Sequence, residues 1–318
     1  MHSRKVEKYP LWAWIIGGIS APLAYLAGHD SWLVVLTVGV VCSALCRLVL
    51  WSADRQGASG RWYCIIQAVW LAVISREIAE WTAQCWPTGA GFPVVPLTLL
   101  VLATFAAWDG AERASRAGSV LFWFLALLYG IILASGVQNI KFSYLLPDMD
   151  LPSPMLIVAF LLPAVAAFLP CEERGSSAGL AGIVVFAVAV SVLTSGTLSL
   201  QVAQASSLPV YEFSKSLSLF GVAERFEAFV SVALTIGFFS LHSFLLSAAG
   251  HLTECALPGK GRAGVLVTAV LAGGLMLLSP KIPELILVCF SIFLWGVLPL
   301  ALAGYKGLKM SKKTEKNS

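Results

Sequence analysis

Apolar stretches close to membrane-spanning length follow one another almost without interruption from residue 11 to residue 304. About 20 residues of helix cross the ~30 Å hydrocarbon core of a bilayer. Ten such spans are predicted, over 11–28, 32–51, 62–83, 93–108, 119–138, 154–170, 178–200, 224–249, 263–279 and 284–304. Backbone amides have no water to bond in lipid, so spans of this kind are helices unless strands close into a barrel. The alternating apolar and polar pattern of barrel strands is absent from them. The charge supply agrees: 12% of residues are charged and 58% hydrophobic, where a soluble domain carries about 25% charged residues. That excludes the soluble globular classes and predicts an all-α integral membrane protein.

Lys and Arg set the orientation. With ten spans and the N-terminus inside, sixteen basic residues fall in inside segments, among them Arg47, Arg55, Arg61, Arg113, Arg116, Arg174, Lys260 and Arg262. Four fall outside: Lys141, Lys215, Lys281 and, at a helix mouth, Arg225. Both termini are expected in the cytoplasm, as a tail over 1–10 and a basic tail over 305–318 that flank one transmembrane domain, 11–304. The first span lacks a small-x-small cleavage site and leads straight into the next, so it reads as retained rather than as a signal peptide. The net charge of +4 follows membrane topology and does not point to nucleic acid; the expected surrounding is the lipid bilayer. Seven scattered cysteines form no Cys-x-x-Cys pair and no zinc-like cluster. No metal, no cofactor and no catalytic set is expected, so the chain is not read as an enzyme.

Ten helices divide as five plus five, and an odd number per half inverts the halves relative to each other, as in many secondary transporters. The halves are 11–138 and 154–304. The opening span of each is interrupted. In "IIGGISAPLAY", Gly17, Gly18, Ser20 and Pro22 weaken the first helix, because Pro22 supplies no N–H and glycine gains little by being helical. In the sixth span Pro163 follows Ala159 and Phe160. Such breaks expose backbone groups that hold a solute, which makes these seven positions the candidate ligand site. Close packing of small residues and a plain proline kink are the alternatives.

Two apolar stretches carry unexpected charges: "ISREIAEWTAQCW", with Arg76, Glu77 and Glu80, and "GVAERFEAFVSV", with Glu224, Arg225 and Glu227. A charge in the membrane costs ~2.5–3.5 kcal/mol on insertion scales, so such groups are paired or face water. Arg76, Glu80, Glu224, Arg225 and Glu227 are read as an outer gate or a helix clamp at similar depth, with cross-helix pairs Arg76–Glu227 and Glu80–Arg225 allowed. His242, mid-span, is either a proton relay or a neutral histidine bonded to Ser240 or Ser243. The outer loop 201–223 is either an amphipathic segment in which Leu208, Tyr211, Phe213, Leu217 and Phe220 rest on lipid, or a plain linker.

The stretch "LPVYEFSKSLSLFGVAERFEAFVSVALTIGFFSLHSFLLSAAG" resembles the spore germination permeases, the membrane-embedded B subunits of germinant receptors within the amino acid–polyamine–organocation transporter superfamily. Pro209, Glu212, Glu224, Arg225 and Glu227 carry the resemblance. "SREIAEWTAQCWPTGAGFPV", "GHDSWLVVLTVGVV" and "LLPDMD" extend it over most of the chain. The chain departs from the family in having Gly17-Gly18-Ile19-Ser20 in place of Gly-Thr-Gly, and in lacking an acid early in span six.

The resemblance implies the five-plus-five inverted repeat of LeuT-like transporters, with interrupted first and sixth helices and a pocket between the first, third, sixth and eighth. It implies sensing of a small nutrient, often an amino acid, at the spore inner membrane or bacterial cell membrane, beside an A-type membrane subunit and a C-type lipoprotein. Two other functions compete: an amino-acid transporter of the same superfamily, and a scaffold subunit with a vestigial pocket.

Overall fold

The computed structural model describes residues 31–53, 61–85, 94–110, 121, 123, 127, 129–146, 177–199, 201–202, 212–213, 227–278, 282–302 and 304–305. Every regular element among them is helical. They are α1 (Ser31–Ala53), α2 (Arg61–Cys85), α3 (Val94–Ala107), α4 (129–137), α5 (Ser177–Thr197), α6 (Glu227–Ala256), α7 (Gly261–Leu278) and α8 (Glu284–Ile292). A 3₁₀ turn over Phe142–Leu145 follows α4, and α8 continues through a π-helical turn, Phe293–Val297. Among the described residues four helical stretches are long and apolar enough to cross a membrane: Trp62–Glu80, Ala228–Ala256, Gly261–Leu278 and Leu285–Leu302. These fall on the third, eighth, ninth and tenth predicted spans; α1, α3 and α5 fall on the second, fourth and seventh.

Helix α6 runs seven residues past the predicted end of its span at 249. The apolar run stops at His251, but nothing in "HLTECA" breaks a helix; the chain turns only at Leu257-Pro258-Gly259, where Gly259 takes φ +80°. Thirty residues make a helix of about 45 Å, so the last turns of α6 extend beyond a ~30 Å apolar core.

Helix α6 is the hub, packing against α2, α3 and α7, while α2 also packs against α7 and α3. A core of Ala72, Leu100, Ala103, Leu246, Val265 and Ala269 joins these four helices. Separately, α1 lies along α5 and touches the π-helical turn. At one end of the molecule, Arg262 at the start of α7 donates to Asp109 after α3 at 2.6 Å. At other loop ends, the Lys141 amide donates to the Gly196 carbonyl at 2.8 Å, and Trp32 Nε1 to the Leu145 carbonyl at 3.2 Å.

Close approach of α6 and α7 depends on glycine. A Cβ built on Gly264 would lie 2.2 Å from Thr253 Oγ1 and 2.4 Å from its Cβ, so no neighbouring rotamer makes room. Gly264→Ala is expected to destabilise the protein by about 1–3 kcal/mol through overpacking, read as a lowered melting temperature in detergent. An unchanged midpoint would show that the two helices separate without cost.

One expectation for the outer loop is overturned. Phe213 is 1% exposed; its ring packs where a Cβ on Gly136 of α4 would stand, 2.7 Å from its Cζ. It is therefore buried against protein rather than resting on lipid. Leu208, Tyr211, Leu217 and Phe220 lie outside the described residues.

Candidate functional site

Two marks indicate how α2 runs against α6. Cys64 lies within electrostatic reach of Cys255, and Ala72 shares a core cluster with Leu246. Going up one helix matches going down the other, so the two are antiparallel and Arg76 comes level with His242. Glu227, at the first turn of α6, is then roughly 20 Å further along the axis at 1.5 Å per residue.

Arg76 is 2% exposed, about two and a half turns before α2 ends at Cys85. Its guanidinium binds two carboxylates of its own helix: Nη1 donates to Glu77 Oε1, and Nη2 donates to Glu80 Oε1 at 2.8 Å. The Glu80 bond is the i,i+4 pairing that α-helical geometry favours. The Glu227 side chain lies outside the described residues, and with it the Arg76–Glu227 pair. Glu224 and Arg225, and with them the Glu80–Arg225 pair, lie outside the described residues.

His242 is fully buried, and neither ring nitrogen has a hydrogen-bond partner among the described residues. The expected bond to a neighbouring hydroxyl is not made. Ser243 Oγ donates instead to the Phe239 carbonyl at 2.8 Å, the i−4 closure common in apolar helices. Ser240 Oγ is buried and without a partner among the described residues, as is Ser75 Oγ on α2. Residues 75–80 of α2 and 240–243 of α6, two helices in contact, thus carry a paired buried arginine, one partly exposed carboxylate at Glu80, and buried hydroxyl and imidazole groups without partners among the described residues, a polar band at similar height. Chemically, the band offers donors and acceptors to a small polar solute or to water.

Ser75 and Glu77 complete this band but were not marked as site residues in the sequence. The signal was local: both flank Arg76 and sit within the same apolar run. A second polar chain lies toward the other end of α2. Gln67 Nε2 donates to Tyr63 Oη, Tyr63 Oη donates to the Leu294 carbonyl in the π-helical turn at 2.7 Å, and Trp70 Nε1 donates to Ser291 Oγ at 2.9 Å. These bonds tie the third predicted span to the tenth.

The candidate ligand positions Gly17, Gly18, Ser20, Pro22, Ala159, Phe160 and Pro163 lie outside the described residues. Among the described residues no group of three or more His, Cys, Asp and Glu side chains is placed to hold a metal ion. Comparison with models of known protein families and with curated proteins gives no match.

Proposed function

We propose that this chain is the permease-like membrane subunit of a spore germinant receptor, binding a small nutrient, with an amino acid as the favoured class, and passing on a conformational signal. The observation that carries the reading is the symmetry of the helix contacts. An inverted five-plus-five repeat equates the second span with the seventh, the third with the eighth and the fourth with the ninth. Under that exchange α1 pairs with α5 and α2 with α6, while the α2–α7 contact maps onto α6–α3 and α2–α3 onto α6–α7; all of these pairs are in contact. An up-and-down bundle of sequential neighbours gives no reason for α2 to meet α7 as α6 meets α3. The sequence resemblance supplies the specific family, and the polar band lies on the third and eighth predicted spans, two of the four between which the resemblance implies a pocket.

The test uses full-length protein in lipid nanodiscs and in vesicles. A panel of amino acids is screened for thermal stabilisation, and the stabilising ones are assayed for flux. The expected result is saturable stabilisation without solute uptake, together with spores that no longer germinate on that nutrient when the chain is deleted. Uptake would shift the reading to a transporter. Absence of binding with normal germination would overturn both.

A further inference from the structure

A cavity of about 390 Å³ opens where α3 ends, α6 nears its end and α7 begins. By the Lys and Arg distribution this is the cytoplasmic end, remote from the polar band at Arg76. Its lining includes Asp109, Glu254, Arg262, Trp108 and Ser247. Glu254 accepts hydrogen bonds from the Gly259 and Gly261 amides, each at 2.7 Å. Those amides, Gly259 first, hold its carboxyl below the usual carboxylate range against a smaller desolvation effect. Arg262 pairs with Asp109 at 2.6 Å. Among the described lining residues, with His251 neutral, two carboxylates and one guanidinium sum to one net negative charge.

Ser247 is the second, independent observation. It is 2% exposed, it lines the cavity, and its Oγ has no hydrogen-bond partner among the described residues. Three hydroxyls of α6 close onto their own helix, Thr235 onto the Ser231 carbonyl, Ser243 onto Phe239 and Thr253 onto Ala249, whereas Ser240, away from the cavity, does not. Ser247 lies between Ser243 and Thr253 and does not. An unsatisfied buried hydroxyl is costly unless something occupies the space beside it.

We infer that this cavity is a binding site for a small organic ammonium ion. The ammonium donates to Ser247 Oγ and to the carboxylate of Asp109, with Glu254 supplying field, and the Trp108 ring offers its face to the cation or its alkyl or aryl body. The volume suits a molecule of several heavy atoms and is far larger than a bare alkali ion needs. The site is separate from the proposed nutrient pocket and does not depend on it.

The test is binding of 2-phenylethylammonium to the purified full-length protein in detergent, by calorimetry and thermal shift, against neutral 2-phenylethanol, anionic phenylacetate and sodium or potassium chloride. The expected result is saturable binding of the amine alone. Ser247→Ala should weaken it about fivefold, the effect of one hydrogen bond, and Asp109→Asn should weaken it further. Arg262→Gln, which removes the competing cation, should strengthen it. That sign separates the proposal from an anion site, where the same change would weaken binding. Equal response to phenylacetate or to sodium, no response to the amine, or an affinity indifferent to both Ser247→Ala and Arg262→Gln would overturn it.

Discussion

Arg76→Met is expected to destabilise the protein more than other single side-chain replacements in α2, by about 3–5 kcal/mol, because it breaks a buried ion pair by removing the guanidinium bonded to Glu77. Over a chain of this size that is a fall of roughly 10 °C in the melting temperature. Glu80→Gln should cost far less, under about 1 kcal/mol, since Glu80 is 30% exposed and water screens its pairing. The loss at Arg76 belongs to the broken pair and not to missing attraction as such. The triple variant Arg76→Met/Glu77→Gln/Glu80→Gln removes the uncompensated charge and should therefore recover most of the stability. Because Glu77 and Glu80 both sit on α2, the charge swap Arg76→Glu/Glu227→Arg leaves three carboxylates together there and should recover nothing. Recovery by that swap, with the triple variant remaining unstable, would show that the two helices pair in a different register.

The helices were largely legible because hydropathy is a local property. The predicted bounds of the second, third, fourth, seventh and ninth spans lie within three residues of α1, α2, α3, α5 and α7. The end of α6 was less legible, since an apolar run marks where lipid stops and a helix stops only where the backbone is broken, at Pro258-Gly259. Which carboxylates hold Arg76 depended on a quantity the sequence does not carry, the axial offset between α2 and α6. The i,i+4 spacing of Arg76 and Glu80 is visible in the sequence, but spacing does not say that Glu77 also reaches the guanidinium. His242 shows the same limit. Two serines stood close enough in sequence to bond it, but on the helix the Ser243 hydroxyl closes onto the Phe239 carbonyl, leaving the imidazole to whatever packs against it. Phe213 was read from the composition of a loop, and composition does not separate a ring resting on lipid from one seated in protein.

Those two placements of Phe213 predict opposite outcomes, and the buried one is expected to prevail. Phe213→Ala should cost about 3–5 kcal/mol, the usual range for removing a buried aromatic ring and leaving a cavity. A ring lying on lipid would lose little on truncation. Gly136 supplies the partner test. A Cβ there would meet Phe213 Cζ at 2.7 Å and Leu193 Cδ2 at 3.3 Å, so Gly136→Ala should destabilise by about 1–3 kcal/mol even though alanine favours the helix more than glycine does. In the double variant Gly136→Ala/Phe213→Ala the methyl group enters the space the ring has left. The clash disappears, the helix gains its propensity term of about 1 kcal/mol, and the double variant should be more stable than Phe213→Ala alone. That reversal of sign, measured as a double-mutant cycle of melting temperatures in detergent, requires the two side chains to share one site. Additive effects would return Phe213 to the bilayer surface and detach the outer loop from α4 and α5.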